Sequence, residues 1–172
     1  TIPAVHAGRM QLAKRAGMAI MHLVENDIRA RDIINEKSLR NALACDMALG
    51  CSSNSVLHLL AIAKEAGCPM DLHTFNEMSA KVPNLCHLAP AGPTHMHDLN
   101  NAGGVPAVQA ELAKKGLLDL SLMTVTGKTA GENIQGAYIK NTDAIRPIDN
   151  PYSETGGIAI LWGNIAKDGC VV

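Results

Sequence analysis

The sequence predicts a mainly α fold with a short C-terminal β portion. Three observations lead there. Helical apolar spacing with matched start and stop residues recurs from Pro3 to Gly116. After Gly116 the texture changes to short β-prone runs separated by polar, aperiodic chain. Aromatics make up 2% of a chain that is 47% hydrophobic, so the core must be built from Leu, Ile, Val, Ala and Met. A length of 172 residues is enough for one sizeable core.

The first helix is expected from near Pro3 to Asn26, because proline suits a first turn and Val5, Met10, Leu12, Ala16, Ala19, Ile20, Leu23 and Val24 form one broad apolar face. Arg9, Lys14 and Arg15 line its wet side, and Gly17 weakens it slightly. A short connection from Asp27 leads to Asn35, which can cap a second helix through about Leu49. A third helix runs from about Asn54 to Ala66 and stops at Gly67. Thr74 and Glu77 have capping-box spacing and open a short helix through Lys81, ended by Pro83. Three prolines and one glycine make 83–93 a loop. One helical turn is expected over Asp98 to Ala102, then a break at Gly103 and Gly104, then a helix from Pro106 to near Gly116. Leu120 to Thr126 alternates in part and reads as a strand; Ile158 to Trp162 and Gly169 to Val172 read as two more. The change of texture divides the chain into 1–130 and 131–172.

Composition excludes several functions. A net charge of −1 leaves no electrostatic footprint for nucleic acid, and no polybasic run suits a membrane surface. No apolar run approaches the roughly 18 residues of a transmembrane helix. Charged residues are 18% of the chain, below the usual value of about 25%, which suggests much buried surface or an interface. Cys45, Cys51, Cys68, Cys86 and Cys170 are odd in number and spread out, against a secreted disulfide framework and for a reducing, cytoplasmic setting. The chain opens on Thr1 and ends on Cys170-Val171-Val172, which reads like a strand cut short, so a piece of a longer protein is expected.

The most informative stretch is the turn Gly50-Cys51-Ser52-Ser53-Asn54 between two helices. Gly50 ends the first at low steric cost, and Ser52, Ser53 and Asn54 are all good caps for the second. Such a turn gathers hydroxyls and free N–H groups at the positive end of a helix, where a carboxylate or phosphate is held. A cap and an anion site are both open on these residues. His58, beside Leu57, Leu59 and Leu60, reads as a packed core histidine before a catalyst. Cys86 and His87 are adjacent, which is a weak metal signal, and His95 and His97 share a face only in a strand. Gly103 and Gly104 are read as a chain bend. Lys128 in Thr-Gly-Lys-Thr lacks the earlier glycine of a phosphate loop, because Leu122 stands there.

The wording of the turn and its following Leu57-His58 resembles the Gly-Gly-Ser-Thr-Asn-x-x-Leu-His segment of the dihydroxy-acid and 6-phosphogluconate dehydratase family. So do Thr1-Ile2-Pro3-Ala4-Val5, Arg31-Asp32-Ile33-Ile34, Lys81-Val82-Pro83-Asn84-Leu85-Cys86, Ala102-Gly103-Gly104-Val105-Pro106-Ala107-Val108, Leu122 to Thr129, Ile145-Arg146-Pro147, Gly156 to Leu161 and Gly163-Asn164. Cys51 replaces the usual second glycine and Ser53 the usual threonine. The resemblance implies a fragment of a protein with an N-terminal α/β domain and a C-terminal β-barrel-like domain. Residues 1–130 would be the helical part of the first, and 131–172 the beginning of the second.

It further implies a lyase that removes water from 2,3-dihydroxy acids to give 2-keto acids, with an iron–sulfur cluster and magnesium. Leu85-Cys86-His87-Leu88 and Thr124-Val125-Thr126-Gly127-Lys128-Thr129 lean to the branch that serves branched-chain amino-acid biosynthesis. A sugar-acid or 6-phosphogluconate dehydratase segment is the alternative, and a non-catalytic helical assembly domain is the alternative of another class. The family's cluster motifs, Cys-Asp-Lys-x-x-Pro-Gly and Cys-Gly-Ser-Cys, are missing from this sequence. No catalytic residue, cluster ligand or magnesium ligand is therefore assigned. This segment alone is expected to bind no cofactor and to be inactive. Ser52, Ser53 and Asn54 are carried over as substrate-binding, and a homo-oligomer is expected.

Overall fold

Asn35 sits in extended backbone and its side chain accepts the Ser38 N–H at 3.1 Å, while Ser38 Oγ takes the Asn35 N–H at 2.9 Å. This reciprocal cap starts α3 (Glu36–Leu49), and Gly50 in the left-handed region (φ +62°) stops it. The second half of α3, from Leu43 to Leu49, is buried throughout and forms the centre of the molecule. In the computed structural model, which describes residues 2–172, α3 packs against α4 (Asn54–Ala66), α5 (Leu72–Lys81) and α7 (Gly104–Lys114). Phe75 of α5, Leu112 of α7 and Leu43 of α3 are all fully buried in this core. Residues beyond 130 join it: Ala144, Ile145, Ile148, Ile158 and Ile160 complete the same cluster. Thr1, the first residue of the opening motif, lies outside the described residues.

The remaining helices are α1 (Ala7–Glu25), α2 (Ala30–Ile33), α6 (Met96–Asn101) and α8 (Ala130–Asn133). The two strands, β1 (Ile160–Leu161) and β2 (Cys170–Val171), pair antiparallel, with Ile160 opposite Val171 and Leu161 opposite Cys170. Two asparagines pair helices with backbone segments far along the chain. Asn76 of α5 exchanges both hydrogen bonds with the backbone of Ile160, each at 2.7 Å. Asn41 of α3 does the same with Asp119, at 2.8 and 2.9 Å. Each asparagine presents the donor–acceptor pair of a peptide group and so satisfies an otherwise orphaned segment.

The predicted fold class holds, and several local expectations change, among them α6, which runs over Met96–Asn101 and not Asp98 to Ala102. Helix α1 starts at Ala7, because Pro3 to His6 first make a turn closed by His6 N–H on Pro3 O, and none of its expected apolar face is buried. Helix α5 is capped by Asp71, whose carboxylate accepts the Thr74 N–H at 2.9 Å; Thr74 is the third helical residue and not the cap. The run from Leu120 to Thr126 is not a strand. Thr124 N–H bonds Lys128 O and Ala130 N–H bonds Leu122 O, so the chain folds back into a tight turn that leads into α8. Helix α7 begins at Gly104, two residues before Pro106.

Candidate functional site

The turn after α3 is clamped from below. A methyl group on Gly157 would lie 2.5 Å from Gly50 Cα, and one on Gly50 would lie 3.0 Å from Asn84 Nδ2. Only two glycines allow this approach of backbone to backbone. Asn84 is buried, and its Nδ2 lies 3.4 Å from Ala48 O, beside the last carbonyls of α3. Gly157 N–H bonds Met47 O at 2.9 Å. The position of residues 50–54 is thus set by α3, by the segment around Asn84 and by the segment around Gly157.

On this base the three predicted residues stand exposed at the start of α4. Ser52 fills the capping role: its Oγ accepts from Asn54 Nδ2 at 3.0 Å and Asn54 N–H at 3.3 Å, and its carbonyl accepts the Ser55 N–H at 2.8 Å. Ser53 is already in helical backbone, and its side chain makes no capping bond. The expectation that all three could serve as caps is thereby divided. Ser52 holds the turn, Asn54 is held by it, and the Ser53 hydroxyl has no intramolecular partner among the described residues.

Behind the turn is a hollow of about 380 Å³ lined by Ala42, Cys45, Asp46, Leu49, Cys51, Ser55, His58 and Leu59. Asp46 is its one carboxylate, and Ser55 Oγ lies 2.8 Å from Asp46 Oδ2. Burial raises the Asp46 carboxyl above its ordinary range, while hydrogen bonds from Ser55 and Cys51 pull the other way. His58 is exposed and lines this hollow; it is not the packed core residue that its leucine neighbours suggested. Leu57 is itself 64% exposed, because α4 buries only Val56 and Ala63. Asp46 and Ser55 escaped the sequence reading. The available signal was a carboxylate in the apolar last turn of a helix, where the dipole disfavours it.

The other candidates are dispersed. Cys86 is buried, and His87 is exposed with its ring stacked on Tyr152 at 4.3 Å. His95 precedes α6, and Asp98 is used to accept its N–H at 2.9 Å. His97 pairs with Asn101 at 2.9 Å and meets the His6 ring edge-on, so the strand geometry that would let His95 and His97 chelate is absent. Gly103 is a close-packed bend, as expected: a methyl there would lie 2.6 Å from Tyr138 O. Lys128 lies in the turn before α8.

Among the described residues no group of three or more His, Cys, Asp or Glu side chains could hold a metal ion. Burial also pushes the thiols of Cys45, Cys51 and Cys86 up to about 11, 12 and 12. Nowhere among the described residues do three such side chains converge, as a cluster held by several thiolates requires. Among the described residues no helix is long and apolar enough to cross a membrane.

A family model described as dihydroxy-acid/6-phosphogluconate dehydratase N-terminal matches residues 1–133. The chain is 63% identical over its whole length to a dihydroxy-acid dehydratase of Lachnoclostridium phytofermentans, 62% to one of Acetivibrio thermocellus and 60% to one of Carboxydothermus hydrogenoformans. It spans 31% of the length of each.

Proposed function

Since this chain belongs to the dihydroxy-acid/6-phosphogluconate dehydratase family, we propose that it is a segment of a hydro-lyase acting on 2,3-dihydroxy acids in branched-chain amino-acid biosynthesis. The observation that carries this reading is the likeness along the entire chain to relatives named dihydroxy-acid dehydratase. The reaction breaks the C3–O bond and removes the C2 proton. Water leaves, and the resulting enol tautomerises to the 2-keto acid.

In this reading Ser52, Ser53 and Asn54 form part of the wall that faces the substrate. They are exposed at the start of α4, where the helix dipole favours a carboxylate. The Ser53 hydroxyl is uncommitted and is the group we assign to the acid. The iron–sulfur cluster and magnesium that the family resemblance implies are assigned to ligands in the parent's remaining length, as are the general acid and base. The segment alone is inactive in this reading. The parent is a cytoplasmic homo-oligomer, supported by the bare apolar side chains of α1. We place the passage from the N-terminal domain to the next near residue 130, close to where the family match ends.

The test is made on the intact parent, assayed on 2,3-dihydroxyisovalerate and on 6-phosphogluconate. Preference for the phosphogluconate would move the assignment to the sister branch, and stoichiometric cluster or turnover in the 172-residue chain alone would refute the division of labour. Ser53→Ala should raise KM or lower kcat in the parent with its thermal unfolding unchanged, because the hydroxyl caps nothing. Unaltered kinetics at Ser52, Ser53 and Asn54 alike would reduce the turn to a helix start.

A further inference from the structure

Arg146 is a cation without an acceptor. Its Nε is the one buried side-chain nitrogen or oxygen that lacks a hydrogen-bond partner among the described residues. Its guanidinium enters none of the ion pairs, which join other cations to Asp27, Glu36, Glu77, Glu111, Asp119 and Asp149. Shielding an N–H of a charged group from water without giving it an acceptor is unfavourable. Each instance in a native protein therefore asks for an explanation.

The surroundings hold the guanidinium in place without neutralising it. Its carbon lies 4.9 Å from the centroid of the Tyr152 ring, and Tyr152 stacks on His87 at 4.3 Å with 6° between the planes. Tyr152 is fixed at both ends: its hydroxyl donates to Asp143 O at 2.9 Å, and its N–H donates to Asn84 O at 2.9 Å. The Arg146 backbone N–H is tied to Leu85 O at 2.8 Å, and Leu85 N–H to Ala48 O at 2.7 Å, so the stack rests on the same framework as the turn at Gly50. Only Nε is shielded. The residue as a whole is half-buried, and its Nη edge is open.

We propose that Arg146, laid on the Tyr152–His87 stack, is a carboxylate-binding residue. A single planar guanidinium matches the charge and the two-oxygen geometry of one carboxylate, and an immobilised fork gives up little conformational freedom on binding. The carboxylate comes either from a small acid or from a side chain of the parent beyond this segment. The site does not depend on the dehydratase reading. A parent that dehydrates neither acid would still have to show it.

The experiment follows the Arg146 Nε–H resonance of the 15N-labelled 172-residue chain during titration with glycerate, with chloride at equal ionic strength as control. A saturable shift with glycerate alone is expected, there and in the backbone amides of Leu85, His87 and Tyr152; read from those amides, binding is lost in Arg146→Met and weakened at least several-fold in Arg146→Lys, with circular dichroism unchanged in both variants. In the parent, a small-acid site predicts a raised KM in Arg146→Met with partial rescue by lysine. A side-chain occupant instead predicts an Nε–H already displaced in the parent and insensitive to added acid. Chloride as effective as glycerate, or no saturable shift in the chain together with an undisplaced resonance in the parent, would overturn the proposal.

Discussion

Helices α1 and α3 both carry apolar side chains at helical spacing, but eight residues of α3 are buried and none of α1. Met10, Met18 and Val24 of α1 are each two-thirds or more exposed. Helix α3 meets α4, α5 and α7, and the Asn84 segment passes its end. Helix α1 reaches the body chiefly through its ends, His6 against His97 and His22 beside Gly127. Periodicity states that a helix has a face to cover. It does not state what covers it, and a contiguous bare apolar face marks a place for more protein.

The largest expected contrast is in side-chain truncation. Leu43→Ala should lower the stability of the chain by about 2–5 kcal/mol, through lost burial plus a cavity. Ile20→Ala should stay within about 0.5 kcal/mol. Urea unfolding of the two variants decides it, and comparable losses would break the comparison. A large loss for Ile20→Ala in the parent alone would sharpen it, by showing α1 covered there and bare here.

Glycines give the next contrast, with opposite signs. Gly157→Ala drives a methyl into Gly50 and Asn84 and should cost about 1–3 kcal/mol. Gly17→Ala, in the middle of α1 with nothing within 4 Å, should stabilise by about 0.5–1 kcal/mol. A destabilising Gly17→Ala in the isolated chain would mean that α1 already packs against something.

Capping separates the helices more mildly. Asn35→Ala should cost about 1 kcal/mol, because its side chain accepts the Ser38 N–H. His6→Ala should cost much less, since His6 makes no side-chain cap. Thermal unfolding of the pair measures the difference.

The smallest effect is a pH dependence from the buried end of α3. The Asp46 carboxyl is raised, so the folded chain keeps its proton after the unfolded chain has lost one. Its contribution is full below the ordinary carboxylate range and declines as pH rises through that range towards the folded value. Asp46→Asn should flatten this decline and leave stability at neutral pH unchanged or higher. A variant with the same pH slope as the parent sequence would remove Asp46 as its source.

What the sequence made legible was local. Asn35 with Gly50 bounded α3, and the polar turn at Ser52 with Gly67 bounded α4, because caps and left-handed stops act within one turn. What it hid was pairing at a distance. The alternation in Leu120 to Thr126 found no neighbouring strand, and threonine hydroxyls close a turn there: Thr124 Oγ1 bonds Lys128 O at 2.9 Å. The Asn41–Asp119 and Asn76–Ile160 exchanges span 78 and 84 residues, beyond any window of spacing. At the candidate site the turn itself was visible, but the hollow behind it joins Asp46, Ser55 and His58 through helix packing.

The chain from Asn84 to Leu85 acts as a tie across very different times of synthesis. It bonds Ala48 on one side and Arg146, Tyr152 and Ser153 on the other, while Met47 waits for Gly157. A ribosome that has reached residue 130 has made every long helix and none of Ile145, Ile148 or Ile158, which close the core. The helical body therefore cannot lock as it emerges. Its core is complete only once that late stretch returns over it.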